Sequence, residues 1–153
     1  MTTETSLVFL KPDAIQRGLV GRILSRFEDK GLRLVASKLI TVPTDLAKKH
    51  YAEHEGKPFY DSLINFITSG PVLVLAIRGD DAISVCRNLM GKTNGKEAAP
   101  GTIRGDFGMS PGYNLIHGSD SPESAERELK MWFNDDELID YHRSIEQWVY
   151  EQN

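Results

Sequence analysis

The sequence predicts an α/β (α+β) fold, a four-stranded antiparallel sheet with helices packed on it. Three observations point there. Short apolar runs of strand character alternate with segments of helical spacing. Glycine or proline punctuates most changes between them. Val72 to Ile77 is apolar throughout, as a strand covered on both faces must be. With 153 residues the chain suffices for a real core, and residues 1–153 are expected to form one domain without linker, repeat or low-complexity tract.

The elements follow in order. Ser6 to Leu10 predicts a buried strand closed by Lys11-Pro12. Val20, Ile23, Leu24 and Phe27 fall at helical spacing, and Lys30-Gly31 is a helix stop. Leu32 to Val42 predicts a second strand, with Arg33 and Lys38 facing out. Pro43-Thr44 opens a helix to about His54, with Thr44 as its N-cap. Lys57-Pro58 starts another, carrying Phe59, Leu63, Phe66 and Ile67 on one side and ending at Gly70-Pro71. After the strand Val72 to Ile77, a helix starts at Asp80 or Asp81 and closes at Gly91. Residues 92–112 form a long connection without regular structure, a feature that is often functional. Tyr113 to His117 predicts the fourth strand. Ser121 caps the next helix, with Pro122 at its first position. Short polar elements complete the C-terminus. Without the inserted helix pair the order is βαββαβ, the ferredoxin-like pattern.

Composition narrows the function. Charged residues make up 26% and the net charge is -4, so no strong basic field draws the chain to nucleic acid or a membrane. Binding a polyanionic nucleotide then requires a local cluster of cations. The single cysteine, Cys86, rules out an internal disulfide and is expected to be a small core residue. The N-terminus lacks the basic and apolar regions of a signal peptide, and no apolar run is long enough to span a bilayer. The cytoplasm is the expected location.

Asn114-Leu115-Ile116-His117-Gly118-Ser119-Asp120-Ser121-Pro122 is the most informative stretch. It places an imidazole at a strand end beside a backbone able to turn tightly. Of the four histidines, His117 alone has this context. A core histidine satisfied by hydrogen bonds is the plain alternative. Glu128 lies three residues after Ala125 and four before Trp132, so it leans toward the buried face of its helix. A buried carboxylate needs a partner, and His117 is the candidate. A carboxylate on one ring nitrogen leaves the other as a nucleophilic lone pair. Glu128 as a solvated helix-edge residue is the competing reading.

Lys11 ends the first strand, Arg87 precedes the long connection, Thr93 follows, and Arg104 stands between Gly101 and Gly105. These cations and this hydroxyl suit phosphate oxygens, although each taken singly is ordinary surface polarity. Gly91-Lys92-Thr93 is not a P-loop. The motif needs a glycine where Cys86 stands, and a strand before it.

Together these residues resemble the nucleoside diphosphate kinase family from Leu7 to about Tyr150. The most specific matches are Asn114-x-Ile116-His117-Gly118-Ser119-Asp120-Ser121, Pro100-Gly101-Thr102-Ile103-Arg104-Gly105-Asp106-Phe107, and Lys11-Pro12-Asp13 with Gln16-Arg17-Gly18. The resemblance implies reversible, ping-pong transfer of the γ-phosphoryl group from a nucleoside triphosphate, typically ATP, to a nucleoside diphosphate. His117 would be phosphorylated on its pros nitrogen between the two halves. Mg²⁺ would be held by the nucleotide phosphates, with no metal ligand from the protein. Lys11, Tyr51, Arg87, Thr93, Arg104 and Asn114 would contact phosphates or sugar, and Phe59 would stack on the base. Glu128 and Ser119 would support the imidazole. Base stacking is sequence-tolerant, which implies broad nucleotide use. Hexamers or tetramers are implied as the assembly. A Glu128 partner would raise the pKa of His117 from its usual ~6.5, so activity should fall on the acid side of neutrality.

Some positions depart from the family pattern. Lys57 stands where arginine is common, Pro111 where valine is frequent, and Gly108-Met109-Ser110 differs locally. Gly95 replaces a usual proline in a loop that the family uses between subunits. A glycine there raises unfolded-state entropy, which predicts a weaker or different assembly. Three other functions compete. They are a nucleotide sensor without turnover, a Ser/His/Asp hydrolase built on His117, Ser119 and Asp120, and a phosphodonor to protein histidines. The first is disfavoured by the retained Lys11, Arg104, Asn114 and His117, the second by the lack of a G-x-S-x-G elbow, and the third is compatible with the main activity.

Overall fold

The computed structural model describes residues 2–151. Its strands are β1 (Thr3–Leu10), β2 (Arg33–Ile40), β3 (Val72–Asp80) and β4 (Ile116–Gly118). The helices are α1 (Pro12–Gln16), α2 (Val20–Lys30), α3 (Thr44–His50), α4 (Tyr60–Ile67), α5 (Ala82–Met90), α6 (Ile103–Phe107), α7 (Pro122–Trp132) and α8 (Glu146–Val149). The strands pair antiparallel in the order β2-β3-β1-β4, which is the predicted ferredoxin-like arrangement.

Leu7 to Leu10 are all fully buried because β1 is central and covered on both faces. The two-residue period sends alternate side chains to opposite layers. Val8 and Leu10 pack with Ile23 and Phe27 of α2 and with Cys86 and Met90 of α5. Leu7 and Phe9 pack with Ala47 of α3, Ile64 and Ile67 of α4, and Trp132 of α7. The inserted pair α3–α4 therefore helps cover the second face. Phe9 lies opposite His117 in the β1–β4 register, so His117 points into that second layer.

Several boundaries differ from the sequence expectation. β1 begins at Thr3 and β3 continues to Asp80, because these ends pair with each other (Thr3 opposite Asp80). α3 ends at His50, with Pro43 rather than Thr44 at its N-cap, and a 3-10 turn spans Ala52–His54. α4 begins at Tyr60, which leaves Phe59 at the cap, 47% exposed, and off the apolar face. The connection 92–112 is not irregular throughout, since it contains α6, whose start is capped by Thr102 Oγ1 accepting from Gly105 N at 3.0 Å. β4 is shorter at its start than predicted because Leu115 has φ +74, a left-handed conformation no strand can include. That residue is held on both sides. Its N–H donates to Asp13 Oδ2 (3.1 Å), and its carbonyl accepts from Lys11 N (2.8 Å). Ser121 caps α7 as expected, accepting from Ser124 N at 3.1 Å, with Pro122 at the first position.

Lys38 faces outward, whereas Arg33, expected to do the same, is largely covered by the C-terminal segment, its side chain 14% exposed. Arg33 pairs with Asp140 (2.6 Å) and Glu146 (3.0 Å), and Lys38 with Glu137 (3.0 Å), fastening the C-terminal segment to β2. Gly95 has a packing role within the chain beside the entropic one. It is buried, and a Cβ there would lie 2.4 Å from the Gly108 carbonyl oxygen. The two loop segments meet backbone to backbone, so the glycine is a packing requirement. Among the described residues, no helix is long and apolar enough to cross a membrane.

Candidate active site

The end of β4 and the inner face of α7 build the site. In α7 the spacing of three and then four residues puts Ala125, Glu128 and Trp132 on one face, all under 5% exposed. Glu128 Oε1 accepts from His117 Nε2 at 3.0 Å. The ring's other nitrogen, Nδ1, is thereby the lone-pair nitrogen. The Phe9 ring stacks on the His117 ring at 4.7 Å with 22° between planes. His117 also lines a recess of about 170 Å³, together with Tyr51, His54, Arg87, Asp120 and Glu128. A larger recess of about 360 Å³ shares Arg87 and Asp120 but not the imidazole.

Ser119 is hydrogen-bonded to Glu128 and to the Leu7 backbone. Its hydroxyl donates to Glu128 Oε1 at 2.8 Å, and its oxygen accepts from Leu7 N at 3.1 Å. Support for the ring runs through the carboxylate. Burial pushes the Glu128 carboxyl above its ordinary 4.5, against the pull of His50, the Ser119 bond and Arg127.

The His117 imidazole moves opposite to the sequence expectation. Burial, then the charges of Lys11, Arg87 and Arg104, push its pKa down to about 3, with Asp120 opposing. Burial is the larger cause, and the three cations add to it. The ring is therefore neutral at physiological pH, as a nucleophile must be.

The cations are placed differently from one another. Lys11 is buried and donates to Asn114 Oδ1 at 2.7 Å. Burial and Arg104 lower its pKa from 10.5 to about 8, against a raising effect of Asp13. Arg87 is exposed and donates to the Gly118 carbonyl at 3.2 Å. Arg104 is 5% exposed, and its three nitrogens donate to the carbonyls of Asn114, Gly91 and Ile116. It holds the α6 loop against β4 and acts on the imidazole through its charge. Thr93 is exposed on the loop after α5. Tyr51 is buried edge-on to His50, whereas Phe59 stands outward near His54 and Lys57. Lys11, Asn114, His117, Ser119 and Glu128 are thus joined around β1, β4 and α7, while Thr93 and Phe59 sit at the periphery.

One residue escaped the sequence reading. His50 is buried, its ring lies 4.5 Å from that of His117 at 84°, and its Nδ1 faces Trp132 Nε1 at 3.1 Å. A signal existed, since His50 lies three residues after Ala47 and so shares its buried face. His50, His117 and Glu128 bring one ligand atom each within 4.8 Å of one another. Glu128 Oε1 is already bonded to His117 and Ser119, and His50 Nδ1 to Trp132, so the three side chains are held by hydrogen bonds of their own.

Comparison with known proteins extends this picture. A family model described as nucleoside diphosphate kinase matches residues 4–138. A nucleoside diphosphate kinase of Staphylococcus epidermidis is 57% identical over 148 residues, covering 97% of this chain and 99% of its own length. One from Roseiflexus sp. is 56% identical with the same coverage. The structure of a halophilic nucleoside diphosphate kinase from Halobacterium salinarum in complex with CDP superposes with a TM-score of 0.95. It is 51% identical and covers 98% of this chain and 100% of its own.

Proposed function

The chain belongs to the nucleoside diphosphate kinase family, phosphotransferases acting on nucleoside tri- and diphosphates, and from that premise we propose that His117 is its nucleophile. One observation carries this reading. The Glu128 bond to Nε2 leaves the Nδ1 lone pair available on a neutral ring surrounded by Lys11, Arg87 and Arg104.

In the first half-reaction, Nδ1 attacks the γ-phosphorus of a nucleoside triphosphate such as ATP. The N–P bond forms, the bridging P–O bond breaks, and the diphosphate leaves with the electron pair. The Nε2 proton stays on the ring, where Glu128 compensates the developing positive charge. In the second half, a terminal oxygen of another nucleoside diphosphate attacks the phosphorus, and the N–P bond breaks. Such transfer asks mainly for positioning and charge neutralisation. Lys11, Arg87 and Arg104 supply the charge.

Asn114, Thr93 and Tyr51 complete the phosphate and sugar contacts, and Phe59 stacks on the base. A ring 47% exposed presents a face any base can use, which supports broad base and sugar tolerance. The CDP held by the halophilic relative supports a diphosphate as acceptor. Mg²⁺ would come with the nucleotide and would neutralise phosphate charge. In the recess the buried carboxylate, Glu128, is already bonded by His117 and Ser119, so the oxygen ligands that Mg²⁺ requires would come chiefly from the nucleotide phosphates. A cytoplasmic, single-domain protein of residues 1–153, assembled as a hexamer or tetramer, completes the reading. It needs neither nucleic acid nor membrane.

The test uses γ-labelled ATP with Mg²⁺ and no acceptor. Wild type is expected to gain an acid-labile, base-stable label that a diphosphate removes as new triphosphate, and His117→Ala is expected to gain none. Equal labelling of His117→Ala would overturn the assignment. ATP binding without any label would make the chain a sensor.

A further inference from the structure

His50 has no part in the transfer just described, yet it lies against the nucleophile. Its partner is unusual in one respect. The Trp132 indole N–H can only donate, and at 3.1 Å it points at His50 Nδ1. His50 Nδ1 must therefore carry a lone pair, and the ring's single proton resides on Nε2. A second proton on His50 would face the indole donor to donor and break that bond. Both groups are buried, with Trp132 2% and His50 5% exposed, so the lost bond would not be replaced by water.

Glu128 is the carboxylate that stands to lose by a charged His50. A ring nitrogen of His50, one of His117 and an oxygen of Glu128 lie within 4.8 Å of one another. A cationic His50 would draw Glu128 into an ion pair and take it from His117. The groups facing His50 are His117 on β4, Lys11 beyond β1, Glu128 and Arg127 on α7, and neighbouring Tyr51, while Glu53, His54, Arg87 and Asp120 line the same recess. Of the groups that act on the ring most strongly, Glu128 alone favours a charge on His50. We propose that Trp132 locks His50 as a permanently neutral positioning residue, which keeps Glu128 committed to the Nε2 of His117. The depressed pKa of His50, caused first by burial and then by His117, agrees with this. The inference rests on His117 being the nucleophile.

Two measurements test it. Nitrogen-15 spectra of the histidine rings in the intact protein should give His50 as the Nε2-protonated tautomer, unchanged from pH 7 to about 5. A doubly protonated His50, or the other tautomer, would overturn the lock whatever happens at His117. The pH–rate profile of Trp132→Phe should show its acid limb moved upward by roughly half a unit or more, because His50 can then take a proton. Adding His50→Gln, which cannot charge, should return the limb to its wild-type position. A loss of activity equal at all pH values, or a shift that survives His50→Gln, would reduce Trp132 to a packing role. Failure of the His117 labelling experiment is separately visible, since the tautomer is read without turnover.

Discussion

Ser119 and His117 share one oxygen. Oε1 of Glu128 accepts the imidazole at 3.0 Å and the Ser119 hydroxyl at 2.8 Å. The serine bond holds the Glu128 carboxyl down against burial. Ser119→Ala should therefore move the acid limb of the rate upward and lower kcat about tenfold, the value of one hydrogen bond to a charged group. A pH–rate profile checks both, and an unmoved limb would show that the serine is merely a spacer.

The acid limb itself should belong to Glu128. Its pKa is raised above 4.5 while that of His117 is depressed to about 3, so on acidification the carboxylate takes a proton first. Wild-type kcat/KM should persist below pH ~6.5, the value of an ordinary imidazole. Glu128→Gln should cost on the order of 10²-fold in kcat, read in single-turnover phosphorylation. A limb at the ordinary imidazole value would contradict the charge environment described above.

Lys11 sets the alkaline side. With a pKa near 8 it loses its charge in mildly basic solution and attracts phosphate less. The fall should appear in kcat/KM, which reports the free enzyme, and less in kcat, because bound phosphate raises the lysine's pKa. Lys11→Arg should remove this limb whatever it does to the maximum rate. A wild-type profile flat to pH 10 would defeat the prediction.

Stability should also depend on pH. The His50 and His117 pKa values lie near 3 in the folded state, against ~6.5 for an unfolded chain. Between these values the unfolded chain binds more protons, so stability falls as pH falls from 6.5 toward 3. Glu128 and Asp13, both raised, act in the opposite sense, while the depressed carboxyls of Asp106, Asp120, Glu137 and Glu146 act with the histidines. Urea midpoints from pH 7 to 4 should decline, and His50→Gln should flatten the decline. An equal slope in both proteins would refute the buried-imidazole account.

Gly95→Pro should weaken the protein itself. Added carbon would press on the Gly108 carbonyl, whose oxygen is 2.4 Å from the Cβ position. A loss of about 1–3 kcal/mol is expected from such overpacking, measured by denaturant unfolding. A rise in stability would restore the entropic reading of this glycine.

Much of this was legible in the chain because it depends on neighbours in sequence. The two-residue period placed the central strands, Ser121-Pro122 marked the start of α7, and the positions of Ala125, Glu128 and Trp132 put a carboxylate on a buried face. The pairing of His117 with Glu128 could be anticipated from that face alone. The tertiary structure decided the remainder, because desolvation and Coulomb forces act through space. The contact of His50 with His117, the burial of Arg104 among three carbonyls and the turn of Ser119 toward Glu128 each depend on how separate elements pack in space. Leu115 adopts φ +74 because Asp13 and Lys11 hold its backbone, not because leucine favours it. The same crowding reversed the expected shift of His117. One carboxylate seen from the sequence argued for a higher pKa, and burial together with three nearby cations made it lower.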